Sequence, residues 1–119
     1  MKAIGDSFER RAANWLRRQG LQIVERNFRA RTGEIDIIAR DGGTLVFVEV
    51  RARSHSAYAG AAASVTRDKQ RRLLNTAALY LRARPSLARP ACRFDVIAFE
   101  PRQSRPGTEI HWIRSAFTA

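Results

Sequence analysis

The stretch GEIDIIARDGGTLVFVEVRAR, residues 33 to 53, constrains the fold more than any other part of the chain. Two runs rich in Ile and Val flank Asp41-Gly42-Gly43-Thr44, which suits a two-residue hairpin turn because glycine reaches positive φ without steric cost. With Gly42 and Gly43 at the turn, Asp41 faces Thr44. Counting outward, Asp36 faces Glu49 and Glu34 faces Arg51. Those four share one face of the hairpin. The other face collects Ile35, Ile37, Ala39, Val46, Val48 and Val50, an apolar surface suited to packing under a helix.

The carboxylates are the anomaly. Acidic residues are depleted in strands, and Ile38 and Phe47 on the same face imply partial cover, which raises the cost of holding charge there. Like charges opposite each other destabilise a strand pair unless something positive lies between them. A divalent cation resolves the conflict: Mg²⁺, or Mn²⁺ in its place, takes a few carboxylate oxygens, keeps several waters and accepts phosphate oxygens. That points to metal-dependent hydrolysis of a phosphodiester. Asp36 and Glu49 are the candidate metal ligands. Glu34 has a simpler reading as a strand-end partner of Arg51, and Asp95 as the partner of an arginine at the edge of the core.

The remaining elements follow from periodicity. Residues 6 to 19 put Phe8, Ala12, Trp15 and Leu16 on one helical stripe, with Gly20 as the stop. Glu9 lies seven residues before Leu16, so it faces the protein and can approach the acidic pair. Asp6 with Glu9 also fits a capping box, and the two roles are compatible. A short strand spans 21 to 28. Residues 53 to 64 are small, polar and weakly patterned, the mark of a ligand-touching loop. A longer helix runs from the N-cap Thr66 to Arg84, with Leu73, Leu74, Ala77, Ala78 and Leu81 on its stripe and Gln70 near its start. Strands at 93 to 100 and 109 to 117 complete the chain. The order is helix, three strands, helix, two strands: a single α/β domain of 119 residues in which the second helix is the crossover between parallel strands of a mixed sheet.

Charge narrows the partners. The chain has 22 Lys and Arg against 11 Asp and Glu, a net +11 that attracts polyanions. Nucleic acid is the expected partner, DNA ahead of RNA. No apolar run of roughly 20 residues suggests a membrane span, and the N-terminus lacks a signal-peptide core, so a cytoplasmic location is expected. Cys92 is the single cysteine and reads as a small buried hydrophobe; His55 and His111 have no zinc-site spacing.

The ExxA of helix one (Glu9 to Ala12), RNFR, GEIDIIA, the Asp-Gly turn, LVFVEVRAR, the helix carrying Lys69 and Gln70, and RFDVIAF together resemble the YraN family. The resemblance runs from about Gly5 to Phe99. It implies a restriction-endonuclease-like fold and distant kinship with archaeal Holliday junction resolvases. It also implies that Asp36 and Glu49 are the acids of a PD-(D/E)xK nuclease site, with Glu9 as an accessory acid. Resolvase-like relatives imply a homodimer with a two-fold pair of sites.

Two departures stand out: Phe8 where the family usually has glycine, and Arg51 where the motif has lysine. Arginine steadies phosphate charge but cannot move a proton. Of the 22 basic residues 20 are arginine, a general bias against lysine, and Lys69 begins the helix that can overhang the site. The expected function is a Mg²⁺-dependent endonuclease on branched or structured DNA, with Arg51 on the phosphate and Arg53, Arg67, Lys69, Arg71 and Arg72 as backbone contacts. Tyr58 is the candidate for stacking on a base. The alternatives are a nucleic-acid binder that keeps the fold without turnover, and a basic accessory subunit of a larger assembly.

Overall fold

A hairpin that is apolar on both faces must be covered on both, and two helices supply the cover. The computed structural model describes residues 2–52, 65–87, 91–102 and 106–117, with side chains from residue 7 onward. Helix α1 is Lys2–Arg18; strands β1 (Gln22–Ala30), β2 (Gly33–Asp41) and β3 (Thr44–Ala52) follow. Helix α2 (Arg67–Ala83) and a 3₁₀ turn at Pro85–Leu87 lead to β4 (Ala91–Pro101) and β5 (Thr108–Phe117). The sheet has five strands in the order β1-β2-β3-β4-β5. All neighbours are antiparallel except β3 and β4, which α2 joins as a parallel pair.

This is the helix, three strands, helix, two strands order of the sequence reading. The turn also sits as expected, with Asp41 opposite Thr44 and Gly42 at φ 59°. On one side α1 lays Ala12, Ala13 and Leu16 over Ile37, Ala39, Val46, Val48, Ile97 and Phe99. On the other, α2 lays Leu73, Ala77 and Tyr80 over Ile38, Leu45, Phe47, Phe94, Val96 and Ala98. At roughly 1.5–3 kcal/mol for each large side chain fully buried, these two layers hold the sheet between the helices.

Four expectations are corrected. Ile35 lies in the α2 layer, not with Ile37 under α1. Helix α1 begins at Lys2, so Asp6 falls inside the helix and cannot be its cap. Cys92 is exposed at the start of β4, where side chains have not yet passed under a helix. Glu34 pairs with Arg29 across β1 and β2 at 3.0 Å rather than with Arg51, because β2 and β3 no longer run in register there. Asp95 does pair with an arginine, Arg93, and its carboxylate also accepts from Trp112 Nε1 and the Ser115 amide.

Candidate active site on β2, β3 and α2

Asp36 is positioned by a break in the strand ladder. β2 runs beside β1 at constant offset from Arg26 opposite Ile37 to Phe28 opposite Ile35. Between those pairs Asn27 takes φ 57°, a left-handed conformation that asparagine tolerates better than most residues. On the other side, the β2–β3 ladder runs from the turn as far as Ile37 opposite Val48. Just beyond, the Val50 amide donates to Asp36 Oδ2 at 2.8 Å. The carboxylate thus takes the place of a backbone carbonyl. The same kink breaks the alternation of side chains and carries Ile35 to the α2 layer.

Glu49 follows from plain alternation. Phe47 faces α2, Val48 faces α1, and Glu49 faces α2 again, where it is only 6% exposed. A buried carboxylate requires partners. Lys69 Nζ supplies one at 2.7 Å from Oε2, and Arg51 Nη1 a second at 3.5 Å. Lys69 reaches the site because α2 starts above it: Thr66 caps the helix, its side chain accepting from the Lys69 amide at 3.2 Å. Gln70 completes this end of the helix by donating to the Val65 carbonyl at 3.0 Å, so it serves the helix start and not the site.

Asp36, Glu49 and Lys69 line one cavity of about 230 Å³ together with Glu34, Arg72, Leu73 and Gly33, and Arg51 lies outside that lining. Its field is acidic at Asp36. Burial, then the charge of Glu49, pushes the Asp36 carboxyl up to about 8; Glu9 and Glu34 add to this, and the Val50 amide opposes it. Burial is the larger cause, and the three carboxylates act on Asp36 in the same direction. The donor set is hard oxygen, which fits Mg²⁺ or Mn²⁺ held by two carboxylates, with waters and a phosphate completing the shell. A three-acid centre does not fit. Among the described residues no group of three or more His, Cys, Asp or Glu is arranged to hold a metal. Glu9 is ion-paired to Arg26 at 3.8 Å and acts on Asp36 through its charge, without lining the cavity.

The expected phosphate contacts divide. Lys69 and Arg72 line the cavity, whereas Arg67 is exposed on the first turn of α2 and Arg71 is paired with Asp68 at 3.3 Å. Arg53 and Tyr58 lie outside the described residues. Sequence reasoning missed Arg26 as the holder of Glu9; for Lys69 it weighed a stand-in for the motif lysine and preferred a phosphate contact, whereas the side chain pairs with Glu49. The signal for Lys69 was present: it is one of two lysines in the chain and stands one turn inside a capped helix.

Known proteins resemble this chain closely. A sequence model of the group described as "Uncharacterised protein family UPF0102" matches residues 8–99. A UPF0102 protein of Alcanivorax borkumensis is 52% identical over 116 residues, spanning 98% of this chain and 92% of the relative. One of Alkalilimnicola ehrlichii is 50% identical over 115 residues, 97% of this chain and 86% of the relative. The UPF0102 protein YraN of Salmonella arizonae is 52% identical over 117 residues, 98% of this chain and 85% of the relative.

Proposed function

The chain belongs to the UPF0102 family, which includes proteins named YraN, and from the pocket it carries we propose that it is a Mg²⁺- or Mn²⁺-dependent endonuclease acting on DNA. Branched or otherwise structured DNA is the substrate class that the sequence resemblance favours. The observation that carries the reading is the meeting of Asp36, Glu49 and Lys69 on one cavity.

A divalent cation bound by Asp36 and Glu49 would acidify a water and draw charge from the phosphate oxygens. The protein's own groups do the rest. Val50 fixes the Asp36 carboxylate through its amide, so this ligand is oriented by the sheet and not by solvent. Lys69 brings to Glu49 the ammonium that the motif would otherwise carry on β3, where this chain has Arg51. That ammonium can orient the attacking water by a hydrogen bond, and the Arg51 guanidinium can steady charge developing on the phosphate. Arg72 extends the positive wall for the strand.

The test is incubation with branched, single-stranded and duplex DNA in Mg²⁺ or Mn²⁺. Cleavage is expected for the wild type and a loss of at least about 100-fold for Asp36→Asn and for Glu49→Ala, the scale of removing one preorganised charge-stabilising group. Products that survive both substitutions would locate the chemistry elsewhere. Because Arg51 replaces the motif lysine, a second reading is a binder that retains the fold without turnover. Salt-sensitive binding with no metal-dependent product would select it.

A further inference from the structure

A second cavity, rich in arginine, lies on the opposite face of the sheet. It is about 530 Å³, more than twice the volume of the acidic one, and it opens between α1 and the β4–β5 pair. Arg11, Arg18 and Arg102 line it together with Trp15 and Phe99; among the described residues of the lining Glu109 is the one acid. Two of the guanidinium groups are held in place. Arg11 Nη2 donates to Thr108 Oγ1 at 3.0 Å, and its plane lies over the Phe99 ring at 4.7 Å. Arg102 Nε donates to the Thr108 carbonyl at 3.2 Å. Each bond uses one donor of the five on a guanidinium, so the remaining donors of both forks stay available for phosphate oxygens. Glu109 sets one negative charge against the three guanidinium groups, and its carboxylate lies 3.5 Å from His111 Nε2.

The aromatic wall adds a second chemistry. Trp15 is half-buried, fixed edge-on against Trp112 with ring centroids 5.2 Å apart. A fixed aromatic beside a phosphate-binding fork is the pairing used to hold single-stranded nucleic acid, one group for a base and the other for the backbone. The position is suitable as well. In the parallel register Glu49 faces Val96 and Ala52 faces Phe99, so the floor of this cavity and the acidic site lie at the same end of β3 and β4. Three residues along a strand is roughly 10 Å, a span of very few nucleotides.

We propose that the groove between α1 and the β4–β5 pair is a second docking site for nucleic acid, in which Arg11, Arg18 and Arg102 take phosphates and Trp15 takes a base of a single strand that rounds the end of the sheet from the acidic pocket. The proposal rests on the nucleic-acid part of the function above and not on hydrolysis.

The experiment measures binding of fluorescein-labelled oligothymidylate and oligouridylate in EDTA across a salt series, so cleavage plays no part. The wild type is expected to bind both. The double variant Arg18→Ala/Arg102→Ala leaves the Arg11 contacts intact and is expected to bind at least about 10-fold more weakly, with the salt slope reduced by about 1.4, since each lost phosphate contact removes about 0.7 for a single strand. Arg18→Lys/Arg102→Lys should restore the slope. Trp15→Phe should weaken binding with the slope unchanged. Absence of binding by the wild type would overturn the proposal, as would full affinity and slope in a double variant whose circular dichroism shows it folded. Binding that depends on these arginines, with no product on any DNA in Mg²⁺ or Mn²⁺, would uphold the groove and sink the nuclease reading.

Discussion

Asp36 is an acid whose ionised form the fold disfavours. Its carboxyl is pushed up to about 8 from an ordinary 3.8, chiefly by burial and then by Glu49. The sign follows from linkage. Between about pH 4 and pH 8 the unfolded chain has released this proton while the folded chain keeps it, so Asp36 lowers stability as pH rises through that window. Asp36→Asn keeps an oxygen for the Val50 amide and removes the charge. We expect it to raise the melting temperature more at pH 8 than at pH 5. Mg²⁺ should stabilise the wild type at pH 8, by favouring the ionised carboxylate, and leave Asp36→Asn unmoved. Melting curves at the two pH values, with and without the ion, check both. Lys69→Met should lower stability by about 1–3 kcal/mol, because Glu49 then keeps only Arg51 at 3.5 Å; chemical denaturation measures it.

At the scale of elements, the hairpin shows what can be read from the chain and what cannot. The Asp41-Gly42-Gly43-Thr44 turn sets the register from Thr44 to Val48, so the facing pairs nearest the turn follow by counting. The count stops beyond Ile37, where the Asp36 side chain accepts the Val50 amide in place of a main-chain carbonyl. No periodicity encodes that event. Helix α2 was legible from its cap Thr66 and from Leu73 and Ala77, although Thr76 and Tyr80 complete its buried side and Ala78 is exposed; the ion pair from Lys69 to Glu49 depends on where the helix lands on the sheet. The start of α1 was misplaced because Asp6 and Glu9 carry a capping pattern inside a helix that had already begun. For the edge strand, Asp95 is decisive: it is 1% exposed and accepts from Arg93, Trp112 and Ser115. Asp95→Ala leaves those donors without their acceptor and is expected to cost about 3–5 kcal/mol. Hydrogen exchange should show the amides of β5 losing protection first.

For the whole molecule, the net charge of +11 and the two cavities act together. The acidic pocket faces α2 and the arginine groove faces α1, so a strand that reaches both must wrap the end of the sheet. Binding should therefore weaken steeply with salt, with a log–log slope for single strands of about 0.7 per phosphate engaged. Lys69→Ala/Arg72→Ala should remove about 1.4 from that slope, additively with the groove variant, because the two sets of residues share no contacts. Fluorescence anisotropy over a salt titration tests the additivity. No helix among the described residues is long and apolar enough to cross a membrane.

The bond from the Val50 amide to Asp36 welds chemistry to architecture in one oxygen atom. Arg51, 3.5 Å from Glu49, could be exchanged at less expense to the shape than Lys69 at 2.7 Å, whereas losing the aspartate takes the acceptor from the Val50 amide. The same weld confounds the usual dead-enzyme control: alanine there removes a stitch along with a ligand, and asparagine is the cleaner silent partner.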